Sequence, residues 1–571
     1  MKINDVEKLT GLTAKAIRLY ESKGLISVLR EENGYRNYTE KDVEALKEIK
    51  LFRTIGISIS DIKLYLFGVM SKDELIDKRK AEILKDSGKN SEIYGICESI
   101  LAKKPIESND IFTENEKARN GMYGAICIGI DIGTTTISAI AYDIDNKEQI
   151  EAYTLPHNSC VKAGVFSEQD VSIIMEKAKK LLYHIISIYE NIVSIGITGQ
   201  MHGIVYIDKN GRAISNLINW QDKRADEVIE NGKNTCELIY QITGEKISTG
   251  YGIATHYYNM LKGLVPKGAC GICTIMDLFA MEICGNKKPI THTSIGASLG
   301  MLDVKNGSFK FDKLSLLGID KDILPQVSEK SISVGMCNGI LVSVPIGDNQ
   351  ASFLGSVSKN EDSMLVNIGT GSQISSVSDE YLHLDSELEL RPFIEGKYLV
   401  CGSALCGGFA YSMVEEFFRS YIVSTGMQES SQYTIMNTLA KKAYENGEDG
   451  LLVDAYFCGK RSDPNLRGSI NNIDRHSFTP QALILGVLKG MCNELYELYK
   501  KMPNKKTHMV ASGGAIKRTE ILKDLIAKRF GASISTNKIE EEAATGSALF
   551  SALVAKKIEY NNGFSDYIGE V

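Results

Sequence analysis

Two aspartates of this chain stand near glycine- and threonine-rich turns, where a carboxylate could act on a phosphate group. Asp131 ends an apolar run and precedes the turn Gly133-Thr134-Thr135-Thr136. Asp348 lies shortly before a second turn, Gly369-Thr370-Gly371-Ser372. A carboxylate at a strand end can hold Mg²⁺ through water, and one near an alcohol can take its proton during phosphoryl transfer. We therefore predict Asp348 as the catalytic base, with magnesium near Asp131 and Asp348.

The two turns, here called the first tip (133–136) and the second tip (369–372), share one design about 235 positions apart. Glycine lets the backbone bend close to a ligand, and backbone N–H groups and threonine hydroxyls can donate to phosphate. A third glycine cluster runs from Ser512 through Gly513 and Gly514 to Lys517, and it would leave room for adenine and ribose. Without a GxxxxGK[ST] motif the chain is not expected to be a P-loop NTPase, and the predicted cofactors are ATP and Mg²⁺.

Polar residues that could bind a polyol cluster within 25 positions after the apolar run 192–198. They supply hydrogen-bond donors and acceptors together with one aromatic face for the C–H surface of a sugar. The predicted sugar-binding residues are Gln200, Met201, His202, Trp220, Asp222, Arg224 and Asp348. Taken singly, the histidine and the tryptophan could equally be core residues, and Gly-Asp-Asn could be an ordinary turn.

The order of these motifs resembles that of the FGGY carbohydrate kinases. The resemblance rests on 131–135, 199–203, 220–224, 347–350, 369–372 and 513–514, and it spans residues 125 to about 557. It implies an α/β fold of two actin-like, ribonuclease-H-like lobes that clasp a nucleotide. It also implies Asp348 as the general base and the cluster around His202 and Trp220 as the sugar pocket.

The segments 249–255 and 297–301 look most like those of sedoheptulokinases. That resemblance implies phosphorylation of sedoheptulose to sedoheptulose 7-phosphate, with another ketose such as xylulose as the alternative. Xylulokinases share the Gln-Met-His-Gly motif but tend to differ around Trp220, and glycerol kinases would carry a different motif. At Gly296 the resemblance predicts a polar side chain touching the sugar, so the pocket of this chain is expected to be roomier.

The first 66 residues read as short helices joined by tight turns. Thr13 can cap a second helix that exposes Lys15, Arg18 and Tyr20, a pattern that fits a DNA major groove. A small wing follows, whose Arg30, Arg36 and Tyr38 could reach phosphates. This ordered set resembles the winged-helix head of MerR-type regulators, which implies binding to double-stranded DNA. The alternative is a helical protein-interaction module.

The composition is that of an ordinary globular protein: 571 residues, 43% hydrophobic, net charge -7. Residues 1–80 hold 16 Lys and Arg against 13 Asp and Glu, so a mildly basic head precedes an acidic body. Twelve scattered cysteines and the lack of a leader or membrane-spanning run predict a cytoplasmic protein that does not enter a membrane. The pair Cys270 and Cys273 lacks further ligands, so a structural role is favoured over zinc.

The expected domains are a winged helix-turn-helix (1–75), a helix and polar linker (76–122), a first kinase lobe (123–356), a second lobe (357–560) and a tail (561–571). Lys78 to Lys104 shows no sustained heptads, so a coiled-coil dimer is doubtful and any homodimer would depend on the kinase body. Three interpretations stay open: an active kinase coupled to a DNA-binding head, a non-catalytic sugar sensor, and a kinase whose head only mediates association.

Overall fold

The computed structural model describes residues 1–571 except 27, 31–35, 86–96, 98–122, 360–361, 385–386, 449–450, 461–462, 464, 504, 538, 562 and 570–571. The predicted linker therefore lies outside the described residues for most of its length. Within the described residues the chain forms a small helical head and two lobes, each built on a six-stranded sheet.

The head is helical with a short two-stranded wing. Gly11, in the left-handed conformation (φ 64°), ends the first helix, and the Thr13 hydroxyl accepts the Ala16 N–H at 3.2 Å to start the second. The elements are α1 (Ile3–Thr10), α2 (Ala14–Ser22), β1 (Leu29–Arg30), β2 (Arg36–Asn37), α3 (Glu40–Thr54), α4 (Ile59–Leu66) and α5 (Lys72–Lys85). The wing strands pair antiparallel, as the sequence predicted.

The first lobe begins at β3 and contains the Asp131 strand. Its sheet has the order β18-β19-β8-β3-β4-β5, in which β19, β8 and β3 are parallel and the other pairs antiparallel. The strands of that sheet are β3 (Ile126–Ile132), β4 (Thr136–Asp143), β5 (Glu148–Pro156), β8 (Ile192–Gly199), β18 (Ser333–Cys337) and β19 (Ile340–Ser343). The helices are α6 (Val171–Ile188), α7 (Thr235–Thr243), α8 (Gly252–Leu261), α9 (Ile275–Cys284), α10 (Thr293–Leu299), α11 (Phe311–Leu316) and α12 (Asp348–Ser356).

Short strands inserted into this lobe carry the predicted sugar-binding segments. They are β6 (Cys160–Ala163), β7 (Phe166–Gln169), β9 (Val205–Ile207), β10 (Leu217–Ile218), β11 (Val228–Glu230), β12 (Lys233–Asn234), β13 (Gly271–Cys273), β14 (Ile290–His292), β15 (Leu302–Asp303), β16 (Ser308–Phe309) and β17 (Gln326–Ser328). Short 3₁₀ helices occur at Arg224–Asp226 and Lys321–Ile323.

The second lobe repeats five strands of this topology in its own sheet, ordered β22-β23-β21-β20-β26-β27. The sixth strands differ, because β18 lies beyond the parallel strands of the first sheet and β22 lies at the opposite edge of the second. Here β20, β26 and β27 are parallel, and β20 and β21 form an antiparallel hairpin like that of β3 and β4. The strands are β20 (Ser363–Ile368), β21 (Ser372–Ser378), β22 (Leu388–Pro392), β23 (Tyr398–Ala404), β24 (Leu452–Asp454), β25 (Ser469–Asn471), β26 (His508–Ser512) and β27 (Ser533–Ser535). The helices are α13 (Gly408–Ser424), α14 (Tyr433–Glu445), α15 (Pro480–Lys501), α16 (Gly514–Arg518), α17 (Ile521–Phe530) and α18 (Glu542–Val554).

The last helix, α18, crosses back to the first lobe instead of staying with the second. A Cβ atom at Gly129 of β3 would lie 1.8 Å from the Ala544 carbonyl, so only glycine allows this approach. The expected tail also packs, because Phe564 and Ile568 are buried and the Tyr142 hydroxyl donates to the Tyr567 carbonyl at 2.5 Å. The predicted division into a second lobe (357–560) and a separate tail is therefore simpler than the fold, because α18 and the tail both pack on the first lobe.

The head packs directly on the first lobe, against β5 and α6. Lys78 Nζ lies 2.5 Å from Asp61 of α4 and donates to the Thr154 carbonyl of β5 at 2.9 Å. Lys177 of α6 bridges Glu74 of α5 at 2.5 Å and the Pro156 carbonyl at 2.9 Å.

A buried ion pair and a stack of rings complete this contact. Lys63 of α4 pairs with Glu151 of β5. The buried His184 ring lies 4.4 Å from the ring of Phe67 and 5.3 Å from that of Tyr153. The head is thus fixed to β5, whose last residue, Pro156, pairs with Thr136 of the first tip.

Candidate active site

Asp131 and Asp348 reach the interlobe site from different elements, near the end of β3 and at the first position of α12. Burial, and then the negative charges of Asp348 and Glu541, raise the pKa of Asp131 to about 7. Burial likewise raises the pKa of Asp348 to about 6. A carboxylate whose pKa lies near neutrality is suited to accept a proton during turnover.

Asp348 is held by its neighbours in one orientation. Asn349 Nδ2 donates to Asp348 Oδ1 at 2.9 Å, which leaves Oδ2 to act on a substrate. The predicted residue Met201 packs against the same turn, since its sulfur accepts Asn349 Nδ2 at 3.7 Å. Ser294 Oγ accepts the Gly347 N–H at 3.1 Å, so the turn before α12 is anchored to α10.

Two charged residues near this pair were missed from the sequence. Arg391 of β22 is buried, and its positive charge opposes the rise in the pKa of Asp348. Its Nη2 lies 2.5 Å from Glu389 Oε2. Glu541, just before α18, raises the pKa of Asp131 and accepts the Thr154 hydroxyl at 2.7 Å. The Glu-x-Arg pattern of Glu389 and Arg391 could not show from sequence that Arg391 lies near Asp348. The same pattern is equally common on strand faces that are exposed to solvent.

The first tip is fixed by side chains that hold its carbonyl groups. Gln169 Nε2 donates to the Thr134 carbonyl at 2.6 Å, and Gln200 Nε2 contacts the Gly133 carbonyl at 3.2 Å. His157 Nε2 lies 3.2 Å from the same carbonyl, and its backbone N–H donates to the Thr135 carbonyl at 3.1 Å. The Gly133 N–H donates to the Thr136 carbonyl at 2.9 Å, and the side-chain bonds use other carbonyl groups, so the threonine hydroxyls of the tip can donate to an anion.

The second tip is fixed by backbone instead. The N–H of Gly408, at the start of α13, donates to the Gly369 carbonyl at 2.9 Å, and that of Phe409 donates to the Thr370 carbonyl at 3.0 Å. Gly513 has φ 96°, and a Cβ there would lie 2.5 Å from the Ile368 carbonyl just before the tip. The fold thus brings the predicted Gly513-Gly514 cluster against the second tip. Lys517 pairs with Glu542 at 3.0 Å.

A cleft of about 1250 Å³ opens beside the tips, lined by both lobes. Its wall includes His202, Trp220 and Tyr251 from the first lobe and Glu389 from the second. His202 Nδ1 lies 2.8 Å from the Ser298 carbonyl, so Nδ1 carries the proton and Nε2 is the acceptor nitrogen. His202 also has a positive φ of 74°, a conformation that is rare for residues other than glycine and that clusters at functional sites.

Trp220 is 46% exposed in the cleft, and its Nε1 donates to the Thr134 hydroxyl at 3.0 Å. It therefore lies next to the first tip as well as facing the cleft. Gln200 is buried, and its Oε1 has no hydrogen-bond partner within the described part of the chain. Such an orphan acceptor beside the first tip could accept a substrate hydroxyl.

Asp222 and Arg224 lie behind the cleft wall, with exposures of 1% and 3%. Asp222 accepts the Ser167 N–H at 2.7 Å and pairs with Arg224 at 2.7 Å. The Arg224 guanidinium also lies 4.9 Å from the centre of the Phe166 ring, which lines the cleft. The structure therefore places this pair where it supports the pocket wall, one layer further from a ligand than the sequence predicted.

The expectation for Gly296 is wrong. A Cβ there would point at the apolar side chains of Leu302 and Val327, at 3.3 Å. A larger residue at this position would meet the core of the first lobe, so the glycine says nothing about the room available to a sugar.

The residues present fit a magnesium ion in part. Asp348 raises the cost of ionising Asp131, and a cation beside the two carboxylates would relieve that cost. Mg²⁺ in nucleotide sites is usually bound by one or two carboxylates, with phosphate and water completing its shell. Within the described residues no cluster of three or more His, Cys, Asp or Glu side chains could hold a metal. Asp131 and Asp348 would therefore share such an ion with the nucleotide.

In the head, two of the predicted DNA contacts are corrected. Tyr20 and Tyr38 are buried, with exposures of 8% and 1%, because both rings belong to the core that holds the helices together. Lys15 and Arg18 are exposed on α2, as predicted, and Thr13 caps that helix.

Arg36 is partly exposed and pairs with Glu21 at 2.6 Å. The Arg30 side chain lies outside the described residues. The exposed cations Lys15 and Arg18 thus remain the main candidates for phosphate contacts on the recognition helix.

Comparison with known proteins shows what each part of the chain resembles. Residues 126–355 match the family model described as FGGY family of carbohydrate kinases, N-terminal domain. Residues 1–67 match the one described as MerR HTH family regulatory protein. The first lobe is therefore similar to the N-terminal domain of FGGY-family carbohydrate kinases, and the head is similar to MerR-type helix-turn-helix regulators.

Individual relatives carry three different sugars in their names. Xylulose kinase of Staphylococcus xylosus is 25% identical over 462 residues, covering 75% of this chain and 91% of that protein. Sedoheptulokinase of Mus musculus is 23% identical over 476 residues, covering 74% and 96%. The crystal structure of gluconate kinase from Lactobacillus acidophilus superposes with a TM-score of 0.67 at 20% identity, covering 78% of this chain and 92% of that one. The predicted two-lobed fold is confirmed.

In the described part of the chain no helix is both long and apolar enough to span a bilayer.

Proposed function

We propose that the protein transfers the γ-phosphoryl group of ATP to a terminal hydroxyl of a ketose, most readily sedoheptulose. The observation that supports this proposal is the position of Asp348, half-buried at the start of α12 and close enough to Asp131 to raise its pKa. A solvent-exposed aspartate in a turn would not have its pKa raised toward neutrality. A sensor without turnover would have no chemical use for this base.

In the proposed reaction Asp348 Oδ2 takes the proton of the attacking hydroxyl as the oxygen–phosphorus bond forms. Asn349 holds the other carboxylate oxygen, and Arg391 keeps enough of the carboxyl ionised at neutral pH. The two tips donate to the phosphates through their threonine hydroxyls and backbone N–H groups. Bound magnesium would neutralise the phosphate charge.

The sugar is proposed to bind in the cleft through His202, Tyr251 and the Gln200 Oε1 acceptor. Thr249, Gly250 and Tyr251, from the segment that resembles sedoheptulokinases, line this cleft. The xylulose kinase relative is no more distant than the sedoheptulokinase, so xylulose is the second candidate.

The test is ADP release with magnesium-ATP across a panel of ketoses. Asp348→Asn should lower turnover about 10²- to 10⁴-fold, because it removes the proton acceptor and leaves the fold in place. Asp312→Asn, an exposed aspartate in the first turn of α11, is the matched control and should act like the wild type. Trp220 fluorescence reports sugar binding in both variants. Unchanged turnover in Asp348→Asn would show that another group is the base.

We further propose that the head binds double-stranded DNA and responds to the state of the cleft. Lys78 contacts Asp61 and the Thr154 carbonyl, and the Thr154 hydroxyl donates to Glu541, whose charge acts on Asp131. A second route runs through Lys177 to Pro156, next to the His157 that holds the first tip. Coupling requires that these contacts differ between open and closed lobes.

The measurement is the affinity for a duplex selected from a random library by the purified protein, with and without saturating sugar and magnesium-ATP. Lys177→Met should reduce the difference, because it removes the second of the two routes, while leaving turnover unchanged. Lys180→Met, on the same helix and paired only with Glu176 at 2.7 Å in the structure, should leave the difference intact. Equal affinity in both states of the wild type would count against coupling.

DNA binding itself is tested by the salt dependence of that affinity. Replacing Lys15 or Arg18 by alanine should weaken binding and reduce the slope of log affinity against log salt by about one for each cation removed. A slope that stays the same would favour the protein-interaction alternative for the head.

A further inference from the structure

Two cysteines of the second lobe lie side by side at the wall of the interlobe cleft. Cys406 is fully buried in the core of that lobe, whereas Cys458 is exposed and lines the cleft. The Cys406 thiol shares a hydrogen bond with the Cys458 sulfur and also accepts the Phe457 N–H. The fold thus brings together one accessible and one inaccessible thiol that are far apart in the sequence.

The two thiols differ in what they can do. Cys458 lies in a tight turn after β24, in which the Gly459 N–H donates to the Tyr456 carbonyl at 3.0 Å, and a small oxidant can reach it from the cleft. Burial raises the pKa of Cys406 to about 12, so this thiol keeps its proton at neutral pH. An accessible thiol with a second thiol beside it is the usual arrangement of redox-sensing cysteines.

A carboxyl group lies near the same pair. Glu494 of α15 is 5% exposed and lines the cleft, and its Oε2 has no hydrogen-bond partner within the described residues. Its negative charge acts on Cys406, so the two side chains are neighbours. Burial raises the pKa of Glu494 to about 7, although the positive charge of Lys460 opposes this rise. Such a carboxyl group can take up and release a proton at neutral pH.

We propose that Cys406 and Cys458 are an oxidation site for hydroperoxides, which closes to a disulfide and is reopened by a reducing thiol. The Cys458 thiolate attacks the O–O bond, so that an S–O bond forms, water or an alcohol leaves, and Cys458 becomes a sulfenic acid. The Cys406 sulfur then attacks the Cys458 sulfur, the S–S bond forms and the S–O bond breaks. Glu494 takes the Cys406 proton and returns it to the departing hydroxide, which leaves as water. The two thiols lose two electrons and two protons, and the hydroperoxide is reduced.

Cys406 directly precedes the backbone that holds the second tip. A Cβ at Gly407 would lie 2.3 Å from the Gly371 carbonyl, and the Gly408 N–H donates to the Gly369 carbonyl at 2.9 Å. An S–S bond of about 2.0 Å is shorter than a non-bonded contact of roughly 3.5–4 Å, so the disulfide pulls Cys406 by roughly 1 Å or more. Because Gly407 is packed tightly against the tip, the oxidised chain should bind magnesium-ATP more weakly. To this extent the inference rests on the nucleotide-binding role proposed for the second tip.

The test is treatment of the full chain with hydrogen peroxide, without sugar or nucleotide, followed by non-reducing tryptic digestion and tandem mass spectrometry. The wild type should give two peptides joined through Cys406 and Cys458, which dithiothreitol separates. Fragmentation has to place the bond on Cys406, because Cys401 lies in the same tryptic peptide. Cys406→Ala should leave Cys458 as a sulfenic acid that dimedone traps. Cys160→Ser, at an exposed cysteine of the first lobe, is the matched control and should form the linked pair like the wild type.

The role of Glu494 is tested in the same way. Glu494→Gln keeps the shape of the side chain and removes the proton acceptor, so it should slow closure of the disulfide and let dimedone trap more sulfenic acid on Cys458. Equal rates of closure in the wild type and in Glu494→Gln would overturn this role.

The effect on the second tip is read from the Kd for magnesium-ATP, measured by calorimetry on the reduced and oxidised forms of each variant. Oxidation should weaken binding about 10- to 100-fold in the wild type and leave it unchanged in Cys458→Ser. An affinity that the bond does not alter would overturn the effect on the tip. A wild type without the linked peptides, or with the bond on Cys401, would overturn the whole proposal. Because the linked peptides are detected without substrate or turnover, that outcome is independent of whether the chain is a ketose kinase.

Discussion

The two tips sit at equivalent hairpins of two sheets that share a five-stranded pattern of two antiparallel and two parallel pairs, yet they are held in different ways. Side chains of Gln169, Gln200 and His157 hold the first tip. Backbone groups of Gly408 and Phe409 hold the second, and Gly513 approaches it without a side chain. The same kind of hairpin tip is therefore held by side chains in the first lobe and by backbone groups in the second.

The different ways of holding the two tips correspond to the different parts of the molecule that lie beside them. The first tip shares its neighbours with the sugar cleft and with the head, since Trp220 donates to Thr134 and His157 follows the Lys177 contact at Pro156. Side-chain hydrogen bonds can change partners when the lobes close, whereas close backbone packing has little freedom. We therefore expect the first tip to change its contacts when the lobes close, and the second tip to stay rigid.

The largest effect that tests this contrast is expected for Gly513→Ala. Its Cβ would meet the Ile368 carbonyl at 2.5 Å in a backbone conformation that alanine rarely adopts. Strain and overpacking should cost about 3 kcal/mol of folding free energy and about 100-fold in turnover, because the second tip is displaced.

Urea unfolding and ADP release measure both effects. Gly531→Ala is the matched control, since its φ is 62° with no atom within 4 Å of the added Cβ, and it should cost only about 1 kcal/mol. Equal losses in the two variants would show that backbone conformation alone matters and that the second tip is not tightly seated.

A smaller effect is expected for Gln169→Leu at the first tip. The substitution removes the bond from Nε2 to the Thr134 carbonyl and the acceptor of Gln200 Nε2 at 2.7 Å. Losing these buried bonds should lower kcat/KM for ATP about 10-fold while stability falls by about 1–2 kcal/mol. Gln432→Leu, at a buried glutamine bonded to Ser430, should cost similar stability with unchanged kcat/KM. If Gln169→Leu and Gln432→Leu lowered kcat/KM for ATP equally, the first tip would have no special role in activity.

The sequence predicted the parts of the site that are local. A β-branched run followed by glycine and threonine specifies a hairpin tip by itself, so both tips and Asp348 could be found without the fold. Arg391 and Glu541 could not, because their position beside the two aspartates depends on the order of strands and on α18 crossing between lobes. Tyr20 and Tyr38 were misread since an aromatic ring in a short helical head serves equally as core or as contact.

The smallest effect is expected at the junction of the head with the first lobe, where His184 lies between Phe67 and Tyr153. Burial lowers the pKa of His184 to about 4, below the roughly 6.5 of the unfolded chain. The folded state therefore binds fewer protons between these values. The stability that the neutral ring contributes is complete above pH 6.5 and is lost as the pH falls toward 4.

His184→Phe keeps an aromatic ring and removes the titration, so it should leave turnover at pH 7 unchanged. Between pH 6.5 and 5 the wild type should lose about 2 kcal/mol at the junction that the variant retains, seen as faster protease cleavage after the head and faster amide exchange in β5. His256→Phe, a buried histidine of the first lobe bonded to Tyr206, should leave the pH dependence of cleavage as in the wild type. If cleavage of His184→Phe still accelerates in acid like the wild type, then the titration of His184 does not control the acid response of the junction.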